Sequence, residues 1–150
     1  MKKELMQAVT AKRFLQKVKK LDALIKNKLI EKQQWEEVAY SITAQTGGER
    51  VQTTADPQRM ASAIEKYIDI EREIDESIQK LHEARNEVLA VIEELPADEY
   101  DFLHAVYIQH KSLMDVAHEK HYTYSWATTM HGRALTNVQR ILDRKKAKEC

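Results

Sequence analysis

Helix breakers are the scarcest residues in this chain: 150 residues contain three glycines and two prolines. In a helix interior these residues cost roughly 1 and 3 kcal/mol relative to alanine. Their near-absence favours long, uninterrupted helices. Cysteine occurs once, as Cys150. That excludes an intramolecular disulfide and a disulfide-stapled secreted scaffold. No run of about 18 apolar residues occurs, so no membrane-spanning helix is expected. The lysine-rich start lacks the apolar stretch and small-residue cleavage site of a secretory signal. A cytoplasmic protein is the expectation.

Charge, by contrast, is plentiful, at 32 % of residues with a formal net of zero. The balance hides a segregation. Residues 1–33 carry ten Lys/Arg against three Asp/Glu, and residues 56–101 carry five against fourteen. Residues 102–150 carry eight against four, so a basic C-terminal block follows an acidic middle. Such polarity suits a partner such as nucleic acid, or a pairing of unlike arms within the fold.

The length suits one domain, or a small domain with an extended helical element. A first helix is expected from about Lys3 to Ala44. Phe14, Val18, Leu21, Ile25, Trp35, Ala39 and Ile42 fall on one stripe, interrupted by Lys28 and Lys32. Two glycines and a proline gather in "TGGERVQTTADPQ" (46–58), which reads as a loop, with Asp56 capping and Pro57 opening the next helix. That second helix is expected over about 57–94. Met60, Ile64, Tyr67, Glu71, Ile74, Ile78, Leu81, Arg85, Val88, Ile92 and Leu95 follow in steps of four and three. Such a seam packs on another helix. The partner is either the first helix, folded back as a hairpin, or a second copy of the chain. Glu71 and Arg85 could fix its register. Pro96 should end this helix, because the residue before proline avoids helical geometry. Asp98 is then the expected cap of a helix reaching about His110.

From Ser112 the spacing fits a helix-turn-helix. "SLMD" (112–115) can form a capping box. Ala117 is small where two helices would cross, and His121 falls where the turn usually has glycine, because the backbone there favours positive φ. Thr123 can cap the following helix. The expected inward face is Val116, Ala117, Tyr122, Ala127, Met130, Ala134, Val138 and Ile141. By subtraction the outward face holds Tyr124, Ser125, Trp126, Thr128, Thr129 and Arg133. In a recognition helix these positions meet base edges and phosphates. Arg140, and Lys145 and Lys146 in the tail "DRKKAKE" (143–149), can hold backbone phosphates.

Residues 94–142 resemble the fourth region of bacterial sigma factors. The likeness rests on Leu95-Pro96, the Leu103/Val106/Tyr107/Ile108 helix, Ser112, Val116-Ala117 and Arg133-Ala134-Leu135. The chain is similar, over most of residues 50–142, to phage-encoded sigma-like regulators of the ArpU and RinA type. "RVQTT" (50–54), the isoleucine-rich helix of residues 60–95 and "HGRAL" (131–135) carry this likeness. The resemblance implies an activator of phage late genes in a bacterial host cell, binding promoter DNA and contacting RNA polymerase. Trp126, Thr128 and Thr129 stand where sigma factors have a charged recognition surface.

The expected architecture is therefore all-α. A helical hairpin or coiled-coil arm (1–94) precedes a helix-turn-helix module (95–142) and a basic tail (143–150). The function expected is sequence-specific double-stranded DNA binding through the helix of residues 123–142, with dimerisation through the helix of residues 60–95. A small terminase-like DNA-packaging subunit and a helical protein–protein adaptor are the alternatives. "HEKH" (118–121) lacks the four-residue histidine spacing of zinc-protease helices. His110, His118, His121 and His131 read as solvated or turn histidines, so no metal is expected. No nucleophile–base pair and no glycine-rich phosphate loop is present, so neither catalysis nor a cofactor is expected.

Overall fold

In a computed structural model of the chain, the backbone is described for residues 2–47 and 57–149, and side chains for 10–42 and 57–149. Every regular element among them is a helix: α1 (Lys2–Gly47), α2 (Pro57–Ile92), α3 (Ala97–Leu103), α4 (Leu113–Glu119) and α5 (Tyr124–Glu149). Wider, π-type turns prolong α3 over His104–Ile108. The fold is all-α, as the scarcity of breakers requires. The loop expected over 46–58 is shorter at both edges. Residues 46 and 47 still belong to α1, and Pro57 is the first residue of α2. The cap expected at Asp56 lies outside the described residues.

The chain divides into two compact units, residues 21–80 and residues 1–20 with 81–150. The division falls inside α1 and α2 rather than at residue 94. In the first unit, the arm, α1 and α2 run antiparallel: Lys28 reaches Glu73 at 3.3 Å, Lys32 reaches Glu71 at 3.4 Å, and Lys66 lies 4.9 Å over the Trp35 ring. These contacts account for the two lysines that interrupt the stripe of α1. Their aliphatic stems lie along the seam, leaving the side chains only 19 % and 26 % exposed, while each ammonium reaches out to a carboxylate. The hydrogen bond to Glu71 holds the Lys32 ammonium above its ordinary pKa.

Over residues 60–85 the seam of α2 differs from the expected stripe by one position in each heptad, whereas Ile92 is buried as expected. Ala63, Ile70, Ile74 and Ser77 are buried, with Met60 and Tyr67 half-buried. Ile64, Glu71 and Ile78 are exposed, and so is Arg85 further along. Both registers share positions 60, 67, 74, 81, 88 and 95. At the alternate positions the buried residues are Ala63, Ile70, Ser77 and Ala84, a mixture of small and large side chains.

In the second unit, Leu15 and Val18 of α1 and Val88, Val91 and Ile92 of α2 are buried together with side chains of α3, α4 and α5. Phe102, Leu103, Val116 and Val138 are the largest fully buried residues from those later helices. Helix α2 stops at Ile92, ahead of Pro96 as expected, but Pro96 itself is the N-cap of α3. Asp98, the expected cap, lies inside the first turn, where its Oδ1 accepts from the Glu99 amide at 2.9 Å. Among the described residues, no helix is long and apolar enough to cross a membrane.

Candidate nucleic-acid interface

Helices α4 and α5 are joined by a four-residue turn, Lys120–Thr123. The start of α4 and both ends of the turn are made by the chemistry the sequence suggested. Ser112 Oγ accepts from the Asp115 amide at 3.1 Å, and Asp115 Oδ2 accepts from the Ser112 amide at 3.4 Å, completing the capping box of α4. At the other end of α4, His121 has φ 60°. Its amide donates to the His118 carbonyl at 3.2 Å, and the Tyr122 amide donates to the Ala117 carbonyl at 2.9 Å. That is a Schellman closure with histidine in the place of glycine. A β-carbon in this conformation costs about 1–2 kcal/mol. Thr123 Oγ1 then accepts from the Trp126 amide at 3.1 Å and starts α5.

Seven of the eight residues expected to face inward are buried. The exception is Tyr122, which is 57 % exposed. It exchanges roles with Trp126, expected outside. The indole sits edge-on to buried Phe102 (centroids 5.8 Å, planes 83° apart), and Tyr122 stacks over it at 4.4 Å. The larger apolar ring takes the core side and the more exposed phenol covers it.

The exposed face at the start of α5 holds Tyr124, Ser125, Thr128 and Thr129, four of the residues assigned to it from spacing. Gly132 and Thr136 continue it at helical intervals. Thr128 Oγ1 donates to the Ser125 carbonyl at 2.9 Å and Thr136 Oγ1 to the Gly132 carbonyl at 3.0 Å, so each hydroxyl turns its lone pairs outward. A Cβ placed on Gly132 would meet nothing within 4 Å. This glycine therefore weakens the helix by about 1 kcal/mol with no packing inside the chain that calls for it.

Arg133 is placed otherwise. Its Nε donates to Glu99 Oε1 at 3.1 Å, and its Nη2 lies 3.4 Å from Asp98 Oδ2 and 3.2 Å from Met130 Sδ. Glu99 is only 3 % exposed, and Asn137 Nδ2 bonds both of its oxygens at 3.0 and 2.9 Å. Arg133 thus satisfies a buried carboxylate on α3. Arg140 is exposed, with Nη1 3.4 Å from Asn137 Oδ1. The expected tail is not separate from the module, because α5 runs on to Glu149. Arg144 and Lys145 both reach Glu94, at 2.9 and 3.3 Å, while Lys146 lines a shallow groove with Phe14 and Leu142.

The histidines separate on geometry. His110 and His121 close helices with φ 61° and 60°. His131 Nε2 lies 2.6 Å from the Tyr107 hydroxyl, with the two rings stacked at 5.8 Å. Burial and the nearby Lys12 charge lower the His131 pKa, and burial pushes the Tyr107 phenol up to about 12. Among the described residues no three His, Cys, Asp or Glu side chains converge as a metal site would need.

Gly132 and Thr136 were absent from the assigned surface, although both follow Thr128 at steps of four. Comparisons with protein-family models, curated proteins and solved structures found no match to this chain.

Proposed function

We propose that the chain is a sequence-specific, double-stranded DNA-binding regulator of transcription that lays the first turns of α5 in the major groove. The observation that carries this reading is the exposed face Tyr124–Ser125–Thr128–Thr129–Gly132. It lies at the start of a long helix that a short, fully capped turn holds against α4. Helix pairs of this form present the second helix to base edges. Hydroxyls bond to bases or phosphates, threonine methyls meet thymine methyls, and a glycine with open space above it lets a groove wall come close. Arg133 is withdrawn from base reading in this proposal, because its guanidinium is committed to Glu99. The role as a phage late-gene activator that contacts RNA polymerase rests on the likeness to sigma-like regulators.

Selection of binding sites by the full chain from random duplex DNA tests the proposal. A recurring sequence is expected. Among the described residues, Lys120, Arg140, Lys146 and Lys148 are exposed cations of the turn and α5 with no carboxylate partner. Neutralising up to four phosphates gives a log–log salt slope no steeper than about −4. No enrichment of any sequence, or binding indifferent to salt, would favour a protein-only adaptor instead.

A further inference from the structure

The fold uses only part of the basic charge that opens the chain. Lys17 pairs with Glu87, Lys26 with Asp22, Lys28 with Glu73 and Lys32 with Glu71. Lys12, Arg13, Lys19 and Lys20 are exposed and have no carboxylate partner among the described residues. All four belong to the compact unit that also holds α5.

Within that unit the first half of α1 crosses α5. Tyr124, Thr128, Leu135 and Gln139 follow in steps of four, seven and four, so they share one side of α5. Tyr124 and Thr128 are exposed on that side, whereas Leu135 and Gln139 are each 6 % exposed. Two side chains of α1 bracket the covered pair. Beyond Gln139, Phe14 lines a groove with Leu142 and Lys146. Ahead of Leu135, His131 has its pKa lowered by burial and by the charge of Lys12 beside it. Lys12 therefore stands on the side of the crossing where the α5 face is open. The buried side of α1 is Ala11, Leu15 and Val18. Lys19 follows Lys12 by seven residues, so it leaves α1 on the same side, about 10.5 Å further along. Two exposed ammonium groups thus border the hydroxyl-rich face, and a lysine is a point charge on a flexible stem, suited to a phosphate oxygen.

We infer that Lys12 and Lys19 hold backbone phosphates of the same DNA that the α5 face reads, so that α1 supplies a contact outside the helix-turn-helix. The inference rests on the DNA-binding function proposed above. Phosphate contacts carry no sequence information, so the two lysines set affinity and orientation while α5 keeps the base preference. They move the limit on the salt slope from about −4 to about −6.

The affinity of the full chain for a selected duplex site, followed over a range of salt concentrations, tests it. The Lys12→Gln/Lys19→Gln double variant should bind about tenfold more weakly or worse. Its log–log salt slope should be shallower by about 2, with the preferred sequence unchanged. Lys12→Arg/Lys19→Arg keeps both charges and should bind as the native chain does. Arg13→Gln/Lys20→Gln removes the same charge from the side of α1 opposite its buried residues and should change the slope less. An unchanged slope for Lys12→Gln/Lys19→Gln, an equal change for Arg13→Gln/Lys20→Gln, or loss of binding in the arginine pair overturns the inference and leaves the reading by α5 standing. A native chain that binds no DNA overturns both.

Discussion

Glu99 and Arg133 show that a side chain left 56 % exposed can also serve the fold. An arginine on the outer side of a helix near a hydroxyl-rich face suggests a phosphate or guanine contact. Here a carboxylate buried on α3 claims it, because burying an anion without a donor costs far more than a surface contact returns. Arg133→Ala should lower stability by about 1–3 kcal/mol, since Glu99 keeps only Asn137. Thermal unfolding measures this, and Glu99→Gln in the same background should recover part of the loss. An unchanged melt of Arg133→Ala would remove the guanidinium from the core's support. His131 supplies a second check. Its pKa lies below the ordinary 6.5 in the folded chain and returns to that value on unfolding. Its contribution is therefore complete above about pH 6.5 and is lost as the pH falls through that value towards the lowered one. The melting temperature should drop between about pH 7.5 and about pH 5.5, and less steeply in His131→Phe. Parallel profiles would show that the imidazole is not the group responsible.

At the scale of elements, the turn between α4 and α5 was readable because its signals are local. A capping box, a threonine cap and a residue at positive φ each act within a few positions, and all three occur where spacing placed them. His121→Gly should stabilise the chain by about 1 kcal/mol, read from the denaturation midpoint, since glycine meets no β-carbon penalty at φ 60°. A loss of stability would mean that the imidazole itself holds the turn. Ala117, 3 % exposed at the helix crossing, should not tolerate glutamate. A cooperative, native-like melt of Ala117→Glu would put the crossing elsewhere. The seam of α2 was harder to read. Two stripes share every second position, and hydrophobicity favours Ile64 and Ile78 over Ala63 and Ser77. The side on which α1 lies decides which stripe is buried, which is a property of the pair and not of either helix. Trp126 and Tyr122 exchanged places for a similar reason: only the buried ring of Phe102 shows which aromatic has a partner inside.

The whole molecule couples a two-helix arm to a helical unit whose last helix offers an exposed face. Length, breakers and charge pattern made the all-α class legible, and the division into units was not, because it cuts through α1 and α2 where no breaker occurs. Gly132 joins stability to the proposed function. Gly132→Ala should raise stability by about 1 kcal/mol while weakening DNA binding, since the open space above it is where the groove wall would come. A substitution that raises both would place the DNA elsewhere.

The most direct measurement of the central claim is the affinity of Thr128→Glu for a selected DNA site beside that of the native chain. The side chain is exposed in the middle of the α5 face, so the fold should be unaffected. The account requires an unchanged melt and a loss of at least about tenfold in affinity, from a carboxylate set against the DNA. Equal affinity of the two proteins, or no DNA binding by the native chain, would contradict it.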